Sequence, residues 1–75
     1  MTPEEVVGKV FGVDARAVGD ATSNASLPEW DSLGHMTLVV ELEATYAVSL
    51  SPDDALAMTD VAAIKRVLAS RGAKW

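Results

Sequence analysis

Within the nine residues PEWDSLGHM, Pro28 to Met36, the chain places an acid, a hydroxyl and its single imidazole: Asp31, Ser32 and His35. These are the residue types of nucleophilic hydrolysis, and Ser32 and His35, three apart, would be neighbours on one helix. The spacing argues against that chemistry. An acid adjacent to the serine in sequence is poorly placed to orient the far side of the imidazole, WDSLG lacks the G-x-S-x-G elbow, and no oxyanion hole is evident. A lone histidine has no second imidazole or thiolate with which to complete a metal site, so no metal is expected and His35 reads as a partly exposed helix residue. With no cysteine in the chain, disulfides, zinc–thiolate centres and a protein thiol nucleophile are excluded. Any thiol chemistry needs an imported sulfur.

Calcium is the remaining inorganic possibility. DATSNASLPEWD, Asp20 to Asp31, has twelve residues with oxygen-bearing side chains at several alternate positions. It lacks the central glycine of a calcium loop, ends in Asp rather than a bidentate Glu, and contains Pro28.

Asp31-Ser32 ahead of an apolar run reads most simply as a helix N-cap. The same geometry also seats a phosphate. A serine in the first helical turn presents its hydroxyl beside unpaired backbone N–H groups, at the positive end of the helix dipole, where a phosphodiester is favoured. Leu33, Met36 and Val40 would then line the path of whatever hung from it.

The elements that must position this junction are helices. Thr2, Pro3 and Glu5 form a capping box with proline in the first turn, and Val6, Val7, Val10 and Phe11 supply the buried face of a helix that Gly12 ends. Residues 13–30 read as a long ordered loop anchored by Val13, Val18 and Leu27. The second helix is predicted over residues 32–47, with two apolar stripes: Leu38, Val39, Leu42 and Tyr46 on one side, and Leu33, Met36, Val40, Ala44 and Ala47 on another. Packing a small bundle requires only one, so the second either stays near the surface for a ligand or partner or is buried as in a central helix. Gly34, Thr37, Glu41 and Thr45 form a polar wedge between them. Ser51-Pro52-Asp53-Asp54 starts a short helix that needs packing by Leu56 and Met58. Thr59 or Asp60 caps a last helix with Val61, Ile64, Val67 and Leu68 inward, Lys65, Arg66 and Arg71 toward its negative end, and Gly72 as its stop. Residues 71–75 are expected to fray. The fold class is all-α, a small bundle of three main helices and one short one, in one domain over residues 1–75.

Eleven acids against six bases give a net charge of −5, which disfavours nucleic acid and anionic membranes and favours basic protein partners. The N-terminus carries acids where a signal peptide needs positive charge, and no apolar run reaches membrane-spanning length. A cytoplasmic monomer is expected, and the Asn24–Ser26 sequon is taken as fortuitous.

With these residues in place, the chain resembles the acyl carrier proteins over nearly its whole length. The resemblance is carried by DSL at the head of the long helix, the acid-then-aromatic pair Glu43 and Tyr46 near its end, and the Thr-x-Val helix start at Thr59 to Val61. It implies a four-helix bundle of acyl-carrier type. It also implies 4′-phosphopantetheine on Ser32, flanked by Asp31 and Leu33 and transferred from coenzyme A by a phosphopantetheinyl transferase. Acyl groups would ride on the arm as thioesters, and the protein would itself be no enzyme. Docking to an acyl-loading ligase or acyltransferase and to downstream synthase enzymes with basic patches falls, position by position, on Asp31, Leu33, Met36, Val40, Glu43, Asp53 and Asp54. Gly34 and Thr37 stand where fatty-acid-synthesis members usually or often carry acids. That departure points toward free-standing carriers of polyketide-type or other specialised pathways; with Met1 close to the first helix, a discrete carrier is expected. Two alternatives stay open: a peptidyl or aminoacyl carrier, and an unmodified helical adaptor docking through its second apolar stripe.

Overall fold

The computed structural model describes residues 1–75. Four helices follow in order: α1 (Pro3–Phe11), α2 (Ser32–Tyr46), α3 (Pro52–Ala57) and α4 (Val61–Ser70), with a 3-10 turn at Ala15–Ala17. There is no sheet. One isolated antiparallel bridge pairs Ser23 with Asp60 and pins the long loop to the head of α4.

The helix starts follow from the sequence. Thr2 accepts from the Glu5 N–H while the Glu5 carboxylate accepts from the Thr2 N–H, and Ser51 and Asp54 repeat that reciprocal pair ahead of α3. Asp60 rather than Thr59 caps α4. Gly12 ends α1 at φ 69, in the left-handed region that glycine enters without a β-carbon penalty.

The core is built from Val6, Val7 and Phe11 of α1, Leu38 and Leu42 of α2, Val61, Ile64 and Leu68 of α4, and Val18, Trp30 and Met58 from the connections. Each such side chain removed from water is worth about 1.5–3 kcal/mol, so these contacts decide the topology. α1 packs against α2 and α4, and α3 lies against α4. Lys65 does not serve the end of its own helix. Its ammonium bridges Glu4 on α1 at 2.8 Å and Asp20 in the loop at 2.7 Å, and both carboxylates raise its pKa.

One expectation needs correction. Met58 is fully buried, but Leu56, expected to pack α3 with it, is 78% exposed, because the inward position falls to the residue just past the helix. Past α4, the Ala73 N–H bonds the Leu68 carbonyl and the residue packs on the core, while the Trp75 ring meets Tyr46 edge-on at 6.1 Å. Tyr46 also donates to the Met1 carbonyl at 2.6 Å, and burial, with Glu5 and Glu4 nearby, pushes its hydroxyl up to about 12.

Candidate functional site

α2 begins at Ser32, with Asp31 as its N-cap. The cap is made by Asp31 alone: its Oδ1 accepts from the Gly34 N–H at 2.8 Å, and its carbonyl accepts from the His35 N–H at 2.7 Å. Ser32 is therefore spared that task, and it is exposed in the first turn. The N–H groups of Ser32 and Leu33, which no preceding helical turn can satisfy, remain beside its hydroxyl at the positive end of a 15-residue helix. That arrangement fits a phosphodiester on the Ser32 oxygen.

Gly34 falls in the polar wedge of α2 by periodicity, and its role there is steric. A β-carbon there would clash with the Glu29 carbonyl oxygen and fall 2.9 Å from the Phe11 ring. Only a residue without a side chain lets the loop carrying Trp30 and Asp31 press this closely on α2.

The second apolar stripe of α2 is not core. Leu33, Met36 and Val40 are 76%, 68% and 62% exposed, while Leu38 and Leu42 on the opposite side are fully buried. Helix-wide apolarity thus divides into one buried stripe and one that faces water.

The acids near the site divide in a similar way. Asp31 and Asp53 are exposed. Glu43 is half-buried, and its Oε2 accepts the Leu50 N–H at 2.9 Å, closing the turn after α2. Asp54 accepts the Ser51 N–H and holds the Arg71 guanidinium at 2.7 Å; the backbone hydrogen bond, with Arg71 adding to it, lowers its pKa. Asp20, at the head of the calcium-like stretch, is engaged by Lys65, and Asp31 at its end by the cap.

One cluster was not anticipated from the sequence. Trp30, buried in the core, stacks on Phe11 and donates from Nε1 to His35 Nδ1 at 2.8 Å. The indole can only donate, so His35 Nδ1 is the acceptor and the neutral ring carries its proton on Nε2, which donates to the Ala55 carbonyl on α3 at 2.7 Å. His35 is thus half-buried and pinned at both nitrogens. An open groove of about 590 Å³ beside it is lined by Ser32, Trp30, Met36, Met58, Asn24 and Thr59, among others.

Comparison with known proteins agrees with this geometry. The family described as "phosphopantetheine attachment site" matches residues 4–68. No curated protein sequence matches the chain. Among solved structures, the chain is similar to the solution NMR structure of the holo acyl carrier protein from Geobacter metallireducens, with 25% identity and a TM-score of 0.80. The match covers 91% of this chain and 78% of that one. The capped helix with a spare serine, the bundle around it and the span of the family match lead to one assignment: this chain belongs to the phosphopantetheine-binding acyl-carrier family, whose members are carriers rather than catalysts.

Proposed function

We propose that the protein carries acyl intermediates as thioesters on 4′-phosphopantetheine joined to the Ser32 oxygen. The observation that supports this most is the division of labour at the head of α2: Asp31 makes the cap, and Ser32, exposed beside free N–H groups, has no part in it. In the modification the Ser32 hydroxyl loses its proton and bonds to the pantetheine-bearing phosphorus of coenzyme A. The pyrophosphate bond breaks, and adenosine bisphosphate leaves. The arm supplies the thiol that a cysteine-free chain lacks, and tethering raises the effective concentration of its cargo at a docked enzyme.

The phosphopantetheinyl transferase, an acyl-loading ligase or acyltransferase, and later synthase enzymes would dock by placing basic patches over exposed Asp31 and Asp53, with Leu33, Met36 and Val40 at the centre of contact. Glu43 and Asp54, tied into the fold, add to the negative field more than to direct contacts. The thin acidic face left by Gly34 and Thr37 favours a specialised, polyketide-type or other secondary-metabolite pathway over bulk fatty-acid synthesis.

Incubation with coenzyme A and a broad-specificity phosphopantetheinyl transferase, followed by intact mass, tests the attachment. Wild type is expected to gain one phosphopantetheine and Ser32→Ala none, with unchanged helicity in both. No gain in wild type, or an equal gain in the variant, overturns the reading.

A further inference from the structure

Two hollows flank α3 and share part of their lining. The groove at Ser32 shares His35, Met36 and Ala55 with a second hollow of about 230 Å³, whose remaining lining includes Val39, Val40, Leu50 and Pro52. The second hollow is the more apolar of the two by composition, and it runs along α2 away from Ser32. Ser32 to Val39 spans about 10 Å of helix axis. Between the two lies the 2.7 Å hydrogen bond from His35 Nε2 to the Ala55 carbonyl, which clasps α2 to α3.

The clasp is held from behind. Trp30 donates to the other ring nitrogen, so His35 cannot rotate out without losing hydrogen bonds on both sides, and Trp30 itself is fixed in the core against Phe11. α3, by contrast, buries none of its own residues. With the clasp open, it is held only by Met58 just past its end and by the Asp54–Arg71 ion pair.

The geometry points to His35 as a specificity-determining residue that partitions the two hollows and so limits how far a straight acyl chain borne at Ser32 reaches between α2 and α3. This rests on the carrier reading above. With the clasp closed, cargo is confined to the open groove and its distal carbons stay in water. With the clasp removed, the hollows join into one trough, and each further methylene finds apolar surface instead.

The test loads wild type, His35→Ala and His35→Gln with butyryl- and octanoyl-phosphopantetheine from the corresponding acyl-coenzyme A, using the same transferase. Loading is verified by mass, and the thermal midpoint of each species is measured by circular dichroism. A purely structural role would lower the midpoint of a variant but leave the difference between its octanoyl and butyryl forms as in wild type. We expect that difference to be near zero in wild type, on the order of 5 °C in His35→Ala, and near zero again in His35→Gln, whose amide can still donate to Ala55. Should His35→Ala not fold, Trp30→Phe keeps the aromatic packing but frees His35 Nδ1, and its difference is expected to shift in the same direction. Equal chain-length dependence in wild type and the loosened variants, or His35→Gln behaving as His35→Ala, overturns the partition. Failure of every chain to gain mass overturns both it and the carrier reading, whereas loaded chains of equal dependence overturn the partition alone.

Discussion

α1 and α3 open with the same local grammar and end in different physical states. Each has a hydroxyl N-cap, a proline in its first turn and a carboxylate that completes the capping box. α1 goes on to bury Pro3, Val6, Val7, Gly8 and Phe11, while α3 buries nothing within its six residues. A cap sets where a helix begins; burial of a face sets whether it is anchored. α3 is instead held from outside, by Met58 just beyond its end, by the ion pair of Asp54 with Arg71, and by His35. The element beside Ser32 is therefore the least anchored in the bundle, and α1 is among the firmest.

The contrast is broken most directly by truncating one apolar residue in each. Phe11→Ala is expected to cost about 3–5 kcal/mol, because it empties a core position stacked on Trp30. Leu56→Ala, at a side chain already in water, should stay within about 0.5 kcal/mol. Chemical denaturation of both variants measures the gap, and comparable losses would mean that α3 is as firmly packed as α1.

Acid sharpens the same comparison. Hydrogen bonds to Thr2 and Ser51 lower the pKa values of Glu5 and Asp54, respectively, and Arg71 adds to the effect on Asp54. A group whose folded pKa is depressed contributes stability that is present above its unfolded value and lost as pH falls through the folded one. The loss should therefore begin as pH drops past the reference values of 4.5 for Glu5 and 3.8 for Asp54. With no buried face to hold it, α3 should open before α1. Amide hydrogen exchange of residues 53–57 is expected to accelerate ahead of residues 6–11 on acidification, and Asp54→Asn should bring that early opening to neutral pH. Simultaneous loss of protection in both helices would contradict it.

The smallest effect on stability is expected at Met36, beside both hollows on the exposed stripe of α2. Met36→Glu should leave the denaturation midpoint within the error set by about 0.5 kcal/mol yet slow acyl loading by a cognate ligase at least several-fold. A variant that unfolds would place Met36 in the core.

Much of this architecture is written in local signals. Thr2, Ser51 and Asp60 mark the helix starts because a capping side chain acts within three residues of itself, and the opposed stripes of α2 follow from its 3.6-residue period. The serine, too, stands out through its neighbours in sequence. What the sequence does not disclose is set by packing between distant segments. Periodicity placed Gly34 in a polar wedge, when the approach of Glu29 and Phe11 decides what fits there. Leu56 and Met58 are both apolar, and only the packing of the α3–α4 connection buries one and exposes the other. His35 reads as an unremarkable helix position until Ala55, twenty residues on, is brought to its Nε2. Glu43 and Asp54 read as docking acids, and their charges are real, but the turn after α2 and Arg71 claim their oxygens.

The contact of Tyr46 with Met1 and Trp75 has a practical corollary. It gathers the first and last residues at the C-terminal tip of α2, about 21 Å along the axis from Ser32 at the other tip. A bead, a dye or a fused polypeptide can be appended at either extremity without shadowing the hydroxyl. Immobilised or concatenated forms should thus stay as open to visiting enzymes as the free chain.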